Sequence, residues 1–372
     1  MNKDSKIYVA GHLGLVGSAI LNNLKSKGYS NFVLRSISEL DLTNQKAVED
    51  FFVSEKPEYV FLAAAKVGGI MANSTYRAEF IYENLMILNH TIHSSWKSGV
   101  KKLLFLGSTS VYPREAPQPM SEDCLLSSPL EYTNEPYAIA KIAGIKMCES
   151  YNLQYGTNFL SVIPTNLYGP NDNFNLETSH VLPALIRKIH LGKCIEDNDW
   201  EAIHNDLTKR PVEGVNGDSS NTDILSKFEK FGLITSGYNS VLGNNAVSVE
   251  IWGTGAPMRE FLWSEEMADA CVFVMENIDF KDVANKDIIS QYPVIRNTHI
   301  NIGTGKEISI FNLANLIKEK VGFQGELKFN SHKPDGTMRK LTNPSKIQSL
   351  GWHHKIEIEE GVQRLYHWYC TH

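Results

Sequence analysis

Cysteine is scarce in this chain of 372 residues. The five cysteines are odd in number and widely separated, and no two of them form a C-x-x-C pair. Disulfide frameworks and structural zinc sites need paired, regularly spaced cysteines. The pattern therefore argues against either, predicts no metal site, and indicates small core or surface thiols at Cys124, Cys148, Cys194, Cys271 and Cys370.

An excess of positive charge is also missing. The chain has 36 Lys and Arg residues against 42 Asp and Glu residues, which gives a formal net charge of −6. Proteins that bind nucleic acid need a basic patch or stripe to neutralise phosphates. We therefore expect no nucleic-acid partner.

Long apolar runs are absent as well. No stretch approaches the roughly 18 apolar residues that a membrane-spanning helix requires. The first residues, MNKDSKIYVAGHLG, enter an apolar strand without the apolar core or cleavage site of a signal peptide. The sequence therefore predicts no membrane span and a cytoplasmic location.

Apolar runs and amphipathic segments alternate through the first 170 residues. KIYVA, EYVFLAAA and KKLLFLGST read as strands, and segments such as NQKAVEDFFVSEK read as helices between them. This order predicts an α/β fold with a Rossmann-type doubly wound parallel sheet. We expect residues 1–170 to form this domain, with a strand and a helix returning from the later chain. Residues 171–372 should form mainly a smaller C-terminal α/β substrate-binding lobe.

Residues from about 192 to 247 have a different composition. They are rich in Asn, Asp, Gly and Ser, most clearly in VEGVNGDSSNTD. Low hydrophobicity over such a span is typical of a surface insertion that is partly mobile.

The glycines of GHLGLVG follow the first predicted strand and open a helix. Gly11, Gly14 and Gly17 have G-x-x-G-x-x-G spacing. Glycines in this place allow a tight turn, let backbone N–H groups approach a pyrophosphate, and let the helix pack close to the strand. A glycine triplet alone is weak evidence, but within a strand, turn and helix it predicts dinucleotide binding.

The end of the second predicted strand bears on which dinucleotide is bound. Proteins that bind NAD typically place an acidic side chain there for the ribose 2′-hydroxyl. This chain has Arg35 and Ser36, which suit a 2′-phosphate, so residues 1–170 are predicted to bind NADP(H). A solvated surface role for Arg35 is the alternative. Asp41 either reaches the adenine edge or caps the next helix.

Ser108 and the string YAIAK form a candidate catalytic group. Ser108 follows a predicted strand, while Tyr137 and Lys141 lie one turn apart on the same face of a helix. A phenol with a pKa of about 10 is a poor acid–base group at neutral pH, and a nearby ammonium lowers that pKa. With Ser108 bonded to the substrate oxygen, Tyr137 moves the proton while hydride is exchanged with a nicotinamide. The trio predicts interconversion of an alcohol and a ketone.

These motifs resemble the extended short-chain dehydrogenase/reductases, in which Ser or Thr, Tyr and Lys in this order form the catalytic trio. Within them the chain resembles the GDP-L-fucose synthases, which epimerise GDP-4-keto-6-deoxy-mannose at C3 and C5 and reduce it at C4 with NADPH. Apart from residues 192 to 247, the resemblance covers almost the whole chain and rests on LAAAKVGGIMAN, NEPYAIAKIAGIKMCESYN, PTNLYGPNDNF, SHVLPALIRK, WGTGAPMREFL and KPDGTMRKL.

The motifs and the resemblance together give two sets of expected binding residues. Those expected at the cofactor are Gly11, Gly14, Leu15, Val16, Gly17, Arg35, Ser36, Asp41, Leu42, Ala63, Ala64, Ala65, Tyr137, Lys141, Pro164, Asn166, Leu167 and His180. Those expected at the GDP-sugar are Ser108, Asn166, Arg187, Lys188, Trp252, Arg259 and Lys333. Guanidinium and ammonium groups suit a diphosphate.

Two positions near the cofactor site depart from the family pattern. Leu13 and Ile37 stand where the family commonly carries arginines. Without those arginines a 2′-phosphate is bound less strongly, so NAD(H) remains an alternative to NADP(H).

Position 110 departs from the pattern in the catalytic site. Dual-function members carry a cysteine two residues after the catalytic serine, and that cysteine acts with a histidine in proton exchange at C3 and C5. This chain keeps the histidine as His180 but has Ser110 for the cysteine. A thiol titrates at about pH 8.5 and becomes a useful base in a modest field, whereas an aliphatic hydroxyl does not.

The expected function is therefore NADPH-dependent C4 reduction of a GDP-4-keto-6-deoxy-sugar, hexose or heptose, in bacterial surface-polysaccharide synthesis, with weak or no epimerase activity. One alternative is a bifunctional GDP-L-fucose synthase. A second is a nucleotide-sugar 4-epimerase that retains its NAD. A catalytically silent NADP sensor would be expected to lack Tyr137 or Lys141, and both are present.

The resemblance also implies a homodimer. In the superfamily two long helices, here near residues 77–98 and 135–155, usually pair with a second copy as a four-helix bundle. The apolar residues Ile81, Leu85, Leu88 and Ile92 suit such an interface and suit packing on the sheet equally well.

Overall fold

The computed structural model describes residues 1–236, 246–284 and 294–372. These residues divide into two compact units. The first comprises Met1–Asn171, Glu260–Lys306 and Lys340–Ile356, and the second comprises Asp172–Arg259, Glu307–Arg339 and Glu357–His372. No helix of the described part is long and apolar enough to cross a membrane.

A parallel sheet of six strands, counted over the described residues, organises the first unit. Its order is β11-β5-β4-β3-β1-β2, with labels that follow chain order. The strands are β1 Ile7–Ala10, β2 Phe32–Val33, β3 Tyr59–Leu62, β4 Lys102–Leu106, β5 Phe159–Pro164 and β11 Ile300–Ile302. Its helices are α1 Leu15–Ser26, α2 Gln45–Glu55, α3 Ile70–Thr75, α4 Arg77–Lys97, α5 Glu135–Tyr155, α9 Ser264–Asn277, α10 Phe280–Val283 and α12 Ser345–Ser349. The doubly wound α/β prediction is confirmed.

The strands of this sheet are apolar on both faces because helices cover both. Tyr8 of β1 packs in one cluster with Phe52 of α2 and Ile92 of α4, while Val9 packs in another with Ile20 of α1 and Met267 of α9. Every residue of β1 is buried. A parallel sheet buried on both sides requires such continuous apolar runs, since successive side chains point to opposite faces.

A short parallel pair also belongs to the first unit. Strand β6, Asn166–Tyr168, pairs with β10, Phe261–Trp263. Strand β6 begins two residues after β5 ends, so the pair continues from the end of the main sheet.

The second unit mixes helices with two small sheets. Its helices are α6 Val181–Glu196, α7 Trp200–Lys209, α8 Asn221–Lys230, α11 Ile310–Val321 and α13 Ile358–Thr371. One sheet has the order β13-β8-β7, with β7 Leu233–Ser236, β8 Ala246–Trp252 and β13 Glu326–Asn330. The other has the order β12-β9-β14, with β9 Met258–Arg259, β12 Ile308–Ser309 and β14 Arg339–Lys340.

The stretch from 192 to 247 carries more regular structure than its composition indicates. Helix α6 continues into it, α7 and α8 follow, and β7 pairs antiparallel with β8. Asp199 and Ser220 cap the two helices, and each helix buries two apolar residues four positions apart. These are Ile203 with Leu207, and Ile224 with Phe228. Residues 237–245 of the predicted insertion lie outside the described residues.

Arg187 lies in the core of the second unit, with 0% of its surface exposed. Its Nε and Nη2 donate to Asp206 Oδ2 at 3.0 and 2.8 Å, and its Nη1 donates to the Phe174 carbonyl at 3.1 Å. The hydroxyl of Tyr369 donates to the other oxygen of Asp206. The prediction that Arg187 binds the substrate diphosphate is therefore wrong for this structure, because no part of its guanidinium is accessible.

The Arg187–Asp206 pair yields a stability prediction. We expect Asp206→Asn to lower the free energy of unfolding by roughly 3 kcal/mol, because it leaves a buried guanidinium without its counter-charge. Urea unfolding followed by circular dichroism measures the change.

Asp197→Asn is the matched control, since it breaks the exposed Lys193–Asp197 pair of the same unit. That variant should change stability by no more than about 0.5 kcal/mol. Equal losses in the two variants would contradict the structural role given to Asp206.

Candidate functional site

The carboxyl ends of four neighbouring strands bring many of the predicted residues to one edge of the first unit. Gly11 follows β1, Ala63 follows β3, Ser108 follows β4 by two residues, and Pro164 ends β5. These strands are adjacent and parallel in the sheet, so their carboxyl ends meet at a single edge. Ligands of open α/β sheets bind at this edge.

The glycine loop is closed tightly enough to demand glycine. Gly11 has a φ of +82°, and a Cβ there would lie 2.8 Å from the backbone nitrogen of Ala64. A Cβ on Gly17 would lie 2.1 Å from the carbonyl oxygen of Gly11. Helix α1 begins directly after Gly14, so the amides of Leu15, Val16 and Gly17 have no partner within the helix. This cradle of N–H groups fits a pyrophosphate.

The residues predicted to hold a 2′-phosphate are already engaged by carboxylates. Arg35 Nη2 donates to Glu55 Oε1 at 2.6 Å, and its Nη1 donates to the Leu34 carbonyl at 2.9 Å. The amide and the hydroxyl of Ser36 both donate to Glu39 Oε2 at 2.7 Å. These hydrogen bonds lower the pKa of the Glu39 carboxyl. A 2′-phosphate must therefore displace Glu39 to reach Ser36.

Asp41 does not cap the next helix. Its Oδ1 accepts from the amide and the hydroxyl of Thr43 at 2.9 and 2.8 Å, while Asn44 caps α2. Leu42, also predicted at the cofactor, is buried, and its carbonyl pairs with His90 Nδ1 at 3.0 Å.

The two apolar residues that stand where the family commonly carries arginines are exposed. Leu13 is 72% exposed and Ile37 is 83% exposed. They lie near the loop and strand end that would bind the cofactor's adenosine.

The catalytic trio is assembled by helix α5 and the end of β4. Lys141 is buried, and its Nζ donates to the Leu106 carbonyl at 2.7 Å. The same Nζ lies 5.7 Å from the centre of the Tyr137 ring. Ser108 lies close enough to the Tyr137 hydroxyl to lower its pKa. The structure therefore brings all three predicted groups together.

Burial shifts both titrating groups of the trio toward their neutral forms. Burial raises the pKa of Tyr137 to about 12, and the nearby Ser108 side chain offsets only part of this. Burial lowers the pKa of Lys141 to about 7. The expectation that Lys141 lowers the pKa of Tyr137 is thus not met here, because desolvation outweighs the attraction between the two charged forms.

Ser110 lies beside Ser108. Its Oγ accepts from Ser108 Oγ at 3.3 Å and from Asn134 Nδ2 at 3.2 Å. Neither neighbour is a base. His180 belongs to the second unit, where it is the exposed residue that precedes α6.

Asn166 and Leu167 lie on β6. The Asn166 side chain donates to the Glu260 carbonyl at 2.8 Å, which fixes its amide. The Glu260 carboxylate is fully buried, and it accepts from the amides of Thr304, Gly305 and Thr342. Asn166 is thereby anchored to a residue whose buried carboxylate has its hydrogen bonds satisfied.

Four of the predicted substrate residues lie in the second unit. Lys333 Nζ lies 5.0 Å from the centre of the Trp252 ring, which is 63% exposed. Arg259 Nη1 donates to the Thr337 carbonyl at 2.6 Å, and Lys188 Nζ lies 3.5 Å from the Glu250 carbonyl. Burial lowers the pKa of Lys188 to about 8. An exposed indole with an ammonium beside it suits a nucleoside diphosphate.

Sequence reasoning gave no role to two residues that contact this site. Asn134 bonds to Ser110, and Glu39 bonds to Ser36. Asn134 stands at the N-cap position of α5, about one turn before Tyr137, and that spacing is a signal in the sequence. Glu39 lies three residues after Ser36, a spacing at which a carboxylate can close a turn.

Comparisons with known proteins agree with this geometry. The model of the NAD dependent epimerase/dehydratase family matches residues 7–211 and 227–303. A putative GDP-L-fucose synthase 2 of Arabidopsis thaliana is 48% identical over 369 residues, which cover 99% of this chain and 93% of the relative.

Two solved structures from Campylobacter jejuni match along nearly the whole chain. A GDP-6-OMe-4-keto-L-xylo-heptose reductase is 47% identical with a TM-score of 0.88, and the match covers 100% of this chain and 99% of that one. A GDP-mannoheptose C4 reductase with NADP bound is 45% identical with a TM-score of 0.84, and the match covers 99% of each chain. The chain therefore belongs to the NAD-dependent epimerase/dehydratase family of extended short-chain dehydrogenase/reductases.

Proposed function

We propose that this protein is an NADPH-dependent reductase that acts at C4 of a GDP-4-keto-6-deoxy-sugar, hexose or heptose. We further propose that it has weak or no epimerase activity at C3 and C5. The observation that carries the proposal is the pairing of a complete Ser108, Tyr137 and Lys141 trio with a hydroxyl at position 110. The hydrogen-bonding neighbours of that hydroxyl are Ser108 and Asn134, and neither can deprotonate it.

The trio suits delivery of a proton to a ketone. NADPH, when bound, supplies the hydride. Ser108 holds the C4 oxygen, and Tyr137 stays protonated at neutral pH because burial raises its pKa to about 12. Tyr137 gives that proton to the C4 oxygen as C4 becomes an alcohol carbon. The Lys141 ammonium stabilises the phenolate left behind.

Cofactor binding is proposed at the glycine cradle. The amides at the start of α1 would hold the pyrophosphate, and the solved relatives include one with NADP bound. Arg35 supplies the cation for a 2′-phosphate once it exchanges Glu55 for the ligand. The carboxylate of Glu39 and the apolar side chains of Leu13 and Ile37 suit a ribose 2′-hydroxyl better than a 2′-phosphate. We therefore expect NADPH to be preferred over NADH by only a modest factor.

The substrate class is proposed from the second unit and the relatives. Trp252, Lys333, Arg259 and Lys188 offer a stacking face and cations for a GDP group. Two Campylobacter relatives are named for GDP-heptose reduction and the Arabidopsis relative for GDP-L-fucose synthesis, so both sugar sizes are supported. Bacterial surface-polysaccharide synthesis and a cytoplasmic location are parts of this proposal.

Isotope labelling tests the reaction. Wild-type protein is incubated with GDP-4-keto-6-deoxy-D-mannose, or the corresponding heptose, and with NADPH deuterated at the transferred position. We expect deuterium at C4 by NMR and faster turnover with NADPH than with NADH. In deuterated water with unlabelled NADPH, we expect no label at C3 or C5. Tyr137→Phe should lower kcat by ~10²-fold or more.

The outcomes separate the alternatives. Label at C3 or C5 from the wild-type protein would identify a bifunctional GDP-L-fucose synthase and contradict the role given to Ser110. Tightly bound NAD with no net cofactor oxidation would identify a 4-epimerase. Ser110→Cys restores a thiol with a usable pKa, and it should introduce exchange at C3 or C5.

The pH dependence should report Lys141. Its pKa is lowered to about 7, so the ammonium is present below that pH and is lost as pH rises through it. We expect kcat/KM to fall as pH rises through about 7, because the phenolate then loses its stabilising charge. Lys141→Met should lower kcat/KM by ~10²-fold and abolish this limb of the profile.

Lys146→Met is the matched control, since Lys146 lies on the same helix and pairs with Glu149. It should keep the limb near pH 7. The assignment to Lys141 is wrong if Lys141→Met retains that limb.

A homodimer is part of the proposal. Helices α4 and α5 expose the large apolar side chains Tyr82, Ile139 and Leu153, whereas Leu88 and Ile92 pack into the core and are not available for an interface. A contiguous patch of exposed apolar side chains is typical of an interaction surface, and these three mark the faces of α4 and α5 on which we place it.

Sedimentation velocity tests this assembly. Wild-type protein should sediment as a dimer at micromolar concentration, and Leu153→Glu should shift it toward the monomer because a charge is then buried at the interface. Phe311→Glu, at another exposed apolar position, should remain dimeric. A wild-type monomer would contradict the proposal.

A further inference from the structure

Asn134 occupies the N-cap position of α5 but does not use its side chain as a cap. Asparagine at this position normally accepts from an amide in the first turn. Here no cap hydrogen bond forms, and Pro136 stands in the first turn, where it lacks an amide N–H. The Asn134 amide turns instead to Ser110, to which its Nδ2 donates at 3.2 Å.

The other end of this amide has no partner among the described residues. Asn134 Oδ1 is buried and accepts no hydrogen bond from them. Buried acceptors are almost always paired, since burying one without a hydrogen bond costs free energy. The unpaired Oδ1, on the side chain that bonds Ser110, therefore calls for a donor from outside the chain.

The hydrogen bonds that Ser110 accepts leave its own O–H free to donate. Its Oγ accepts from Asn134 Nδ2 and, until Ser108 turns its hydroxyl to the C4 oxygen, from Ser108 Oγ. An oxygen that accepts from two donors still has its own O–H to donate. Ser110 therefore offers a donor, and Asn134 Oδ1 offers an acceptor next to it. Both bonds are long, as is common where a site tightens on substrate binding.

A hydroxyl group satisfies such a donor and acceptor together, because it can donate and accept at once. In a 4-keto-sugar, C4 has two ring neighbours. C3 bears a hydroxyl, whereas C5 bears the ring oxygen and C6. With the C4 oxygen held by Ser108 and Tyr137, the hydroxyl adjacent to the carbonyl is that of C3. Ser110 Oγ lies 3.3 Å from Ser108 Oγ, so a group bound by Ser110 lies next to the oxygen bound by Ser108.

We propose that Asn134 and Ser110 bind the C3 hydroxyl of the keto-sugar, with Asn134 Oδ1 accepting from it and Ser110 Oγ donating to it. Asn134 also positions Ser110 through its Nδ2. This inference rests on the proposed function. It gives position 110 a task in holding the substrate, and it makes Asn134 a residue that selects for a hydroxyl at C3.

Substrates with and without that hydroxyl test the pair. NADPH oxidation is measured with GDP-4-keto-6-deoxy-D-mannose and with its 3-deoxy analogue. Asn134→Ala should raise KM for the first by ~10-fold, equivalent to about 1.4 kcal/mol, with kcat changed much less. It should leave KM for the 3-deoxy analogue unchanged. Ser110→Ala should show the same selectivity.

Two controls separate binding from folding. Asn315→Ala changes an exposed helical asparagine of α11 and should leave both KM values unchanged. The thermal midpoint of Asn134→Ala should match the wild type closely, since no helix cap is lost. Should Asn134→Ala fail to fold, the selectivity of Ser110→Ala decides the matter.

Each outcome has a distinct meaning. A rise in KM of equal size for both sugars overturns the inference, since it marks a merely structural role. Unchanged KM values in both variants overturn it as well. Absence of NADPH oxidation by the wild type with every GDP-4-keto-sugar overturns the proposed function, and this inference with it.

Discussion

The hydrogen bond from Lys141 to the Leu106 carbonyl helps to determine where helix α5 meets the sheet. It joins the helix to the last residue of β4, two residues before Ser108. Gly144 makes the approach possible, since a Cβ there would lie 2.4 Å from the Phe105 ring. Tyr137 and Ser108 lie on different elements, so their separation depends on how α5 packs against β4. This buried hydrogen bond is one of the contacts that set it, together with the apolar residues of α5.

Burial alone does not make a lysine catalytic, as another buried lysine, Lys102 of β4, demonstrates. Lys102 is also buried, its pKa is also lowered by burial, and it donates to the carbonyls of Val274 and Met275 at 3.0 Å. Its charged neighbour is Asp279, which favours a permanent ammonium. Lys141 has a phenol as its neighbour instead. The two lysines therefore differ in role because their partners differ. Lys102 joins α9 to the sheet, whereas the charge of Lys141 can change during a reaction.

Local patterns predicted what local geometry controls. The glycine spacing, the strand alternation and the Tyr137–Lys141 pair each depend on residues within a few turns, so the sequence shows them directly. Ser108 is distant in sequence, and the family resemblance joined it to that pair. Arg187 was misplaced because its ion-pair partner Asp206 is 19 positions away. Glu55, which holds Arg35, is 20 positions away, so the sequence gave no sign that this cation is engaged. The helices α7 and α8 were hidden by a polar composition, although their caps and four-residue apolar spacing are present in the sequence.

Strand β11, which completes the sheet of the first unit, is synthesised long after its neighbour β5. Strand β5 ends at Pro164, whereas its neighbour β11 begins at Ile300. Synthesis at about 5–20 residues per second leaves β5 as an open edge for on the order of ten seconds. Unpaired edges invite pairing with other chains. The nascent protein thus passes through a period in which chaperone capture competes with aggregation, and fragments truncated before residue 300 would retain that open edge permanently.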